Sequence, residues 1–264
     1  MNDNVQELIN SAVKHMILHT SSKDKLKTLY AKHDEKVHFI PKRYRVFGGL
    51  LQSMNIQFGN FIEELMRILV ENEEKYEILT EYSGKKSNSF YLSASNEKLI
   101  DEYITKCQTE AIIPEVELPK LMKSIINNND NQFLKFKHDI DLLFKDKNTN
   151  TIYYLEIKYN DDHDTGKFVD INRKIIKTYA YLTKELNIKE YDKIIPLLFF
   201  FTDKRLKGNI YLPEGINIKR GHKFFDEFLT TNYNDVDKCL TNLAESPNTI
   251  RMFDELYHSV MNYK

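Results

Sequence analysis

The run Ile194-Ile195-Pro196-Leu197-Leu198-Phe199-Phe200-Phe201-Thr202 constrains the fold more than any other stretch. It shows no alternation of apolar and polar residues, so a strand built from it is buried on both faces. Such a strand needs apolar cover above and below, and helical segments flank it in the sequence. Residues 170–186 place Ile171, Ile175, Ile176, Tyr179 and Leu182 on one stripe of a helix. A short strand is expected near Ile210–Leu212, and two or three helices after residue 221. Hydrophobic residues make up 41% of the 264 positions, with 16 Tyr and 16 Phe supplying bulk in a chain without Trp. The expectation is an α/β chain: one mixed sheet flanked by helices, with a largely helical N-terminal part.

That N-terminal part begins with helical spacing over residues 4–33, carried by Val5, Leu8, Ile9, Val13, Met16 and Ile17. Lys42-Arg43-Tyr44-Arg45 leads into Gly48-Gly49, read as a turn, and a helix runs from Leu50 to Glu71. Residues 80–96 are polar and read as a loop with a short strand at Phe90–Leu92. A helix is expected over 96–110. Pro114 and Pro119 bound a connector before a short helix at 118–127, and the Asn-rich run 127–131 is a loop signal. The division expected is a mainly helical part, 1–130, serving dimerisation and recognition. A core with C-terminal helices, 131–264, carries the chemistry.

Composition excludes a few classes. The formal net charge is −1, with 38 basic and 39 acidic residues, so the chain is not a uniformly basic nucleic-acid coat. A local basic face balanced by acids elsewhere is still compatible with DNA binding. Cys107 and Cys239 are far apart and too few for a cysteine zinc site, which predicts two reduced thiols. The N-terminus has early acids and no apolar core of a secretory signal, and no apolar run reaches the about 18 residues of a membrane span. The location expected is cytoplasmic.

The chemistry concentrates in His138-Asp139-Ile140-Asp141-Leu142-Leu143-Phe144 and Tyr153-Tyr154-Leu155-Glu156-Ile157-Lys158-Tyr159. Residues 133–144 and 151–159 read as two strands joined by a hairpin-type turn at 145–150. Alternation puts Glu156 and Lys158 on one face and Asp139 with Asp141 on another, and the hairpin can bring Asp141 beside Glu156. Two carboxylates and an ammonium then converge. Mg²⁺ takes hard oxygen ligands of this kind, and a nearby lysine can orient or deprotonate an attacking water or stabilise developing charge. The plain alternative is a salt bridge on a strand, but charges interrupting apolar strands are costly unless paired or coordinated.

Here the sequence resembles the PD-(D/E)XK nuclease superfamily. The Asp141…Glu156-Ile157-Lys158 hairpin, with a helix and a buried strand after it, carries the resemblance. It implies Mg²⁺-dependent hydrolysis leaving 5′-phosphate and 3′-hydroxyl ends, with Asp141, Glu156 and the Ile157 carbonyl as metal ligands and Lys158 as catalytic partner. The family's usual Pro before the Asp is absent. Asp141 is preferred over Asp139 because an apolar-Asp-apolar-apolar pattern enters the hairpin. The superfamily often adds an acid from an earlier helix, for which Glu63 is the candidate and Glu64 the second choice, against an ordinary solvated helix face. More narrowly, residues 156–167 and Phe47 to Gln52 through Glu63 resemble the HinfI-like type II restriction endonucleases. That implies a homodimer cutting double-stranded DNA at a GANTC-like interrupted palindrome, with a cognate methyltransferase in the same system. The alternatives are a repair nuclease or junction resolvase on the same core, or a non-catalytic DNA-binding protein.

Contacts to DNA need Lys and Arg for phosphates and Arg, Asn or Gln for base edges. Lys167, Asn172, Arg173, Lys204 and Arg205 are the candidates, each with a solvated charged surface as its ordinary reading. His163, in the polar stretch 160–167, is a candidate for orienting a metal-bound water, and Asp161, Asp162 and His163 are a weaker candidate metal cluster. Asp170 reads as the N-cap of the next helix.

Overall fold

The computed structural model describes residues 3–20, 22–128, 132–162, 164–205 and 210–263. The chain forms two compact units, one of residues 67–230 and one combining 1–66 with 231–264. The division thus falls at 66/67 and 230/231, whereas the sequence suggested 130/131. The expected N-terminal part is split, because residues 67–128 belong to the unit that holds the sheet and the last two helices pack with the first.

The helical unit contains α1 (Asp3–Thr20), α2 (Lys23–Asp34), most of α3 (Lys42–Glu71), α8 (Tyr233–Ala244) and α9 (Pro247–Met261). Ile17, Leu26, Val46, Leu50, Met54, Leu256 and Val260 form its core. Gly48 and Gly49 lie inside α3 and do not make the expected turn. A Cβ at Gly49 would come 3.7 Å from the Leu29 side chain of α2, an ordinary contact distance.

The sheet unit is built on β1 (Tyr76–Ile78), β4 (Leu142–Asp146), β5 (Ile152–Lys158), β6 (Ile194–Phe200) and β7 (Ile218–Arg220), in the order β1-β4-β5-β6-β7. β4 and β5 are antiparallel, with Leu142 opposite Leu155, while β5–β6 and β6–β7 are parallel. The turn between β4 and β5 is held by Asp146, whose carboxylate accepts from the Asn148 and Thr149 amides at 2.7 and 3.0 Å. β6 occupies the interior position its apolar run requires. The strand expected at 210–212 is instead at 218–220, where the chain pairs with β6.

One face of this sheet meets α6 (Thr165–Glu185), supported by α4 (Ala94–Thr109) and α5 (Pro114–Ile126), through Tyr154, Ile175, Ile176, Tyr179 and Leu198. The other face carries Phe144, Tyr153 and Phe199 against Phe224 and Phe228 of α7 (Gly221–Phe228). α5 starts at Pro114, not 118, because proline is suited to the first turn, and Pro119 lies within it. α6 is capped by Asp164, whose carboxylate accepts from the Lys167 amide at 2.9 Å, and not by Asp170.

The largest departure is a separate two-stranded ribbon. Residues expected to be mostly loop form β2 (Gly84–Ser93), paired antiparallel with β3 (Phe133–Ile140). The strand expected over 133–144 is therefore two strands in two sheets, with Asp141 alone between them. Phe90 and Leu92 face the core, Phe90 stacking on Tyr181 of α6 with ring centroids 3.9 Å apart. Cys107 and Cys239 are free thiols, and burial pushes that of Cys107 up to about 11.

Candidate active site

Asp141 stands at the point where the chain leaves the ribbon and enters the central sheet. Its carboxylate Oδ2 accepts a 2.7 Å hydrogen bond from the Ile157 amide of β5 and lies 3.6 Å from Lys158 Nζ. The break in the strand separates it from Asp139. The latter's Oδ1 instead accepts from the Ser87 amide at 2.6 Å, pinning a bulge of β2 in which Ser87 has a φ of 51°. Two acids that alternation alone would place together thus have different partners.

Glu156 and Lys158 do share a face of β5. Lys158 Nζ donates to Glu156 Oε1 at 2.7 Å and to the Ile157 carbonyl at 2.8 Å. Its ammonium is therefore surrounded by Asp141 Oδ2, Glu156 Oε1 and Ile157 O, the same three oxygens that the sequence nominates as metal ligands. A cation is already accommodated there, and the donors are all hard oxygens, so the set fits Mg²⁺ completed by water. Among the described residues, no group of three or more His, Cys, Asp or Glu converges as a metal site. The set is two carboxylates and a carbonyl.

Glu156 is only 1% exposed. Burial pushes its carboxyl up, but Lys158 and Lys174 outweigh that effect and leave its affinity for a proton below the ordinary value. Lys174, from α6, lies 3.3 Å from Glu156 Oε1. On the other oxygen, Tyr154 donates to Oε2 at 3.1 Å, and His138 Nε2 is 3.3 Å from the Tyr154 hydroxyl. Burial, reinforced by Lys174, lowers His138 to about 4, so it is neutral near pH 7. Lys174, Tyr154 and His138 are site residues that the sequence pattern did not single out. Lys174 had a signal in the α6 stripe: it is one residue before Ile175, on the flank of the face that meets β5.

The other candidates are placed differently. Glu63, half-buried, and Glu64, exposed, lie on α3 in the helical unit. Lys167, Lys204 and Arg205 are exposed, with Arg205 3.8 Å from Glu214. Arg173 pairs with Asp101 at 2.9 Å and Asp170 at 3.5 Å. Asn172 is fully buried, and its amide donates to the Phe168 carbonyl at 2.9 Å, so it is not presented to a base edge. His163 lies outside the described residues. Asp161 is buried and ion-paired with Arg220 at 2.8 Å, which takes it out of any metal cluster with Asp162.

Against known proteins, the model of the family described as "Type II restriction endonuclease, HinfI" matches residues 1–244. The type II restriction enzyme HinfI of Haemophilus influenzae is 56% identical over 265 residues, covering 100% of both chains. No solved structure matches. A full-length likeness of this size, together with a mixed sheet flanked by helices and the clustered Asp141, Glu156 and Lys158, shows that the chain belongs to the HinfI family of type II restriction endonucleases.

Proposed function

We propose that the chain hydrolyses double-stranded DNA with Mg²⁺ at Asp141, Glu156 and the Ile157 carbonyl, with Lys158 as the catalytic lysine. The observation that carries this reading is the Lys158 ammonium enclosed by Asp141, Glu156 and the Ile157 carbonyl at the end of β5. When bound, Mg²⁺ would neutralise phosphoryl charge and lower the pKa of a bound water.

The chain's own residues do the rest. The Ile157 amide fixes Asp141, and Tyr154 fixes Glu156, so neither carboxylate must reorganise. Lys158 and Lys174 keep Glu156 ionised in its buried position. Lys158 orients the attacking water and holds the negative charge that develops on the phosphate. Glu63 is the candidate for the further acid that the superfamily often adds. Lys167, Lys204 and Arg205, all exposed, contact phosphates.

The family assignment supports a homodimer acting at a GANTC-like site in the cytoplasm, beside a cognate methyltransferase. No helix of the described residues is long and apolar enough to cross a membrane. Incubation with plasmid DNA and Mg²⁺ tests the reading. Discrete fragments sharing GANTC ends are expected. Intact plasmid, or cutting confined to branched DNA, would overturn it.

A further inference from the structure

The β2–β3 ribbon has one face in the core and one in solvent, and the outer face is basic. In a chain with 38 basic and 39 acidic residues, its two strands carry Lys85, Lys86, Lys135 and Lys137 against Asp139 alone. The Asp139 carboxylate already accepts from the Ser87 amide. Ser89 pairs with Lys137 and Tyr91 with Lys135, which puts both lysines on the face opposite Phe90 and Phe136. Lys135 lies over the half-exposed Tyr91 ring at 5.9 Å. Among the described residues neither Lys135 nor Lys137 has a carboxylate within ion-pair distance.

Two strands alone are marginal, so the inner face holds the ribbon in place through Phe90, Leu92 and Ile140. The position of the lysines is therefore set rigidly with respect to Asp141, which stands one residue beyond the end of β3. At about 3.3 Å per residue, Lys137 and Lys135 stand roughly 13 and 20 Å along the chain from the carboxylate. With a rise of about 3.4 Å per nucleotide, that span corresponds to roughly four to six base pairs of duplex.

We propose that the ribbon's outer face is a phosphate-backbone clamp on substrate DNA, in which Lys135 and Lys137 grip the duplex flanking the scissile bond. This rests on the proposed nuclease activity and extends it to a surface that the site does not include. Lysine offers point charges to phosphates without reading sequence, so the clamp contributes affinity and register but not discrimination.

The test is the salt dependence of binding. Wild type and a K135Q/K137Q variant are titrated, with Ca²⁺ replacing Mg²⁺, against a duplex containing the cleavage site and one lacking it. The variant should lose the same factor on both duplexes, and its slope of log affinity against log salt should flatten by about 0.9 per lysine removed. A K135R/K137R variant should restore the wild-type slope. An unchanged slope overturns the clamp, and a loss confined to the site-containing duplex overturns it in favour of base reading. If the double variant unfolds, K135Q and K137Q singly should each flatten the slope by about one unit. Wild-type protein that binds DNA but leaves plasmid intact with Mg²⁺ would sink the nuclease reading alone. Wild-type binding with an unaffected variant would sink the clamp alone.

Discussion

Two clusters of charge are buried at the carboxyl ends of β5 and β7, and they are built on opposite plans. At β5, Glu156 is enclosed with Asp141, and the cations are lysines whose side chains stay 24% and 42% exposed. At β7, Arg220 is 9% exposed and forks between Asp161 at 2.8 Å and Glu214 at 2.9 Å, with its guanidinium 4.8 Å over the Phe200 ring. A guanidinium held between two carboxylates and stacked on a ring is a closed clamp. A flexible ammonium reaching in from solvent is exchangeable. The arginine plan ties down the segment after the catalytic strand, and the lysine plan leaves oxygens that another cation can take. Burial of charge therefore marks both clusters, but only the exchangeable one is suited to chemistry.

Substitution should separate the two plans. The largest effect expected is on cleavage by Asp141→Ala or Lys158→Ala, a loss of about a thousand-fold or more with the fold and Ca²⁺-supported DNA binding retained. Near-normal cleavage by either variant would break the assignment of the β5 cluster. The reverse pattern is expected for Arg220→Ala, which removes the guanidinium held between the buried Asp161 and Glu214 and should cost about 3–5 kcal/mol in denaturant unfolding. The double replacement Arg220→Met with Asp161→Asn should recover most of that loss. If it does not, Arg220 does more than close a clamp.

Lys174→Ala should have an intermediate effect, a reduction in kcat of roughly ten- to a hundred-fold. The sign of its pH dependence is set by its partner. Lys174 helps hold the Glu156 carboxyl below its ordinary range, so removing it raises that group and moves the acid limb of the pH–rate profile upward. A profile that scales down without moving would show that Lys174 acts elsewhere. The smallest effect is expected for Asp139→Asn, a few-fold loss of activity from loosening the Ser87 bulge. A loss as large as that of Asp141→Ala would exchange the roles of the two acids.

The two acids also show what could be read locally. Asp141 and Asp139 are two residues apart on what the pattern reads as one strand, and alternation gives them one face. The structure parts them because residues 133–140 find their partner in β2 and residues 142–146 find theirs in β5. Nothing local signals that switch. Residues 84–89, rich in lysine, serine and asparagine, have low strand propensity and became a strand only through β3, more than forty positions away. Gly48-Gly49 read as a turn locally, yet both lie within α3. Tyr154 and His138 look like ordinary strand residues until the sheet brings them to Glu156.

The sequence by itself determined the interior strand at β6, the amphipathic α6, the hairpin turn at 145–150 and the shared face of Glu156 and Lys158. Each is set by a period or a turn within a few residues of the groups concerned. Only the tertiary structure decided that the chain breaks at Asp141, that the ribbon turns a lysine-bearing face outward, and that Lys174 reaches Glu156. Those features depend on pairing between distant segments, where the energy comes from neighbours that no local pattern can name.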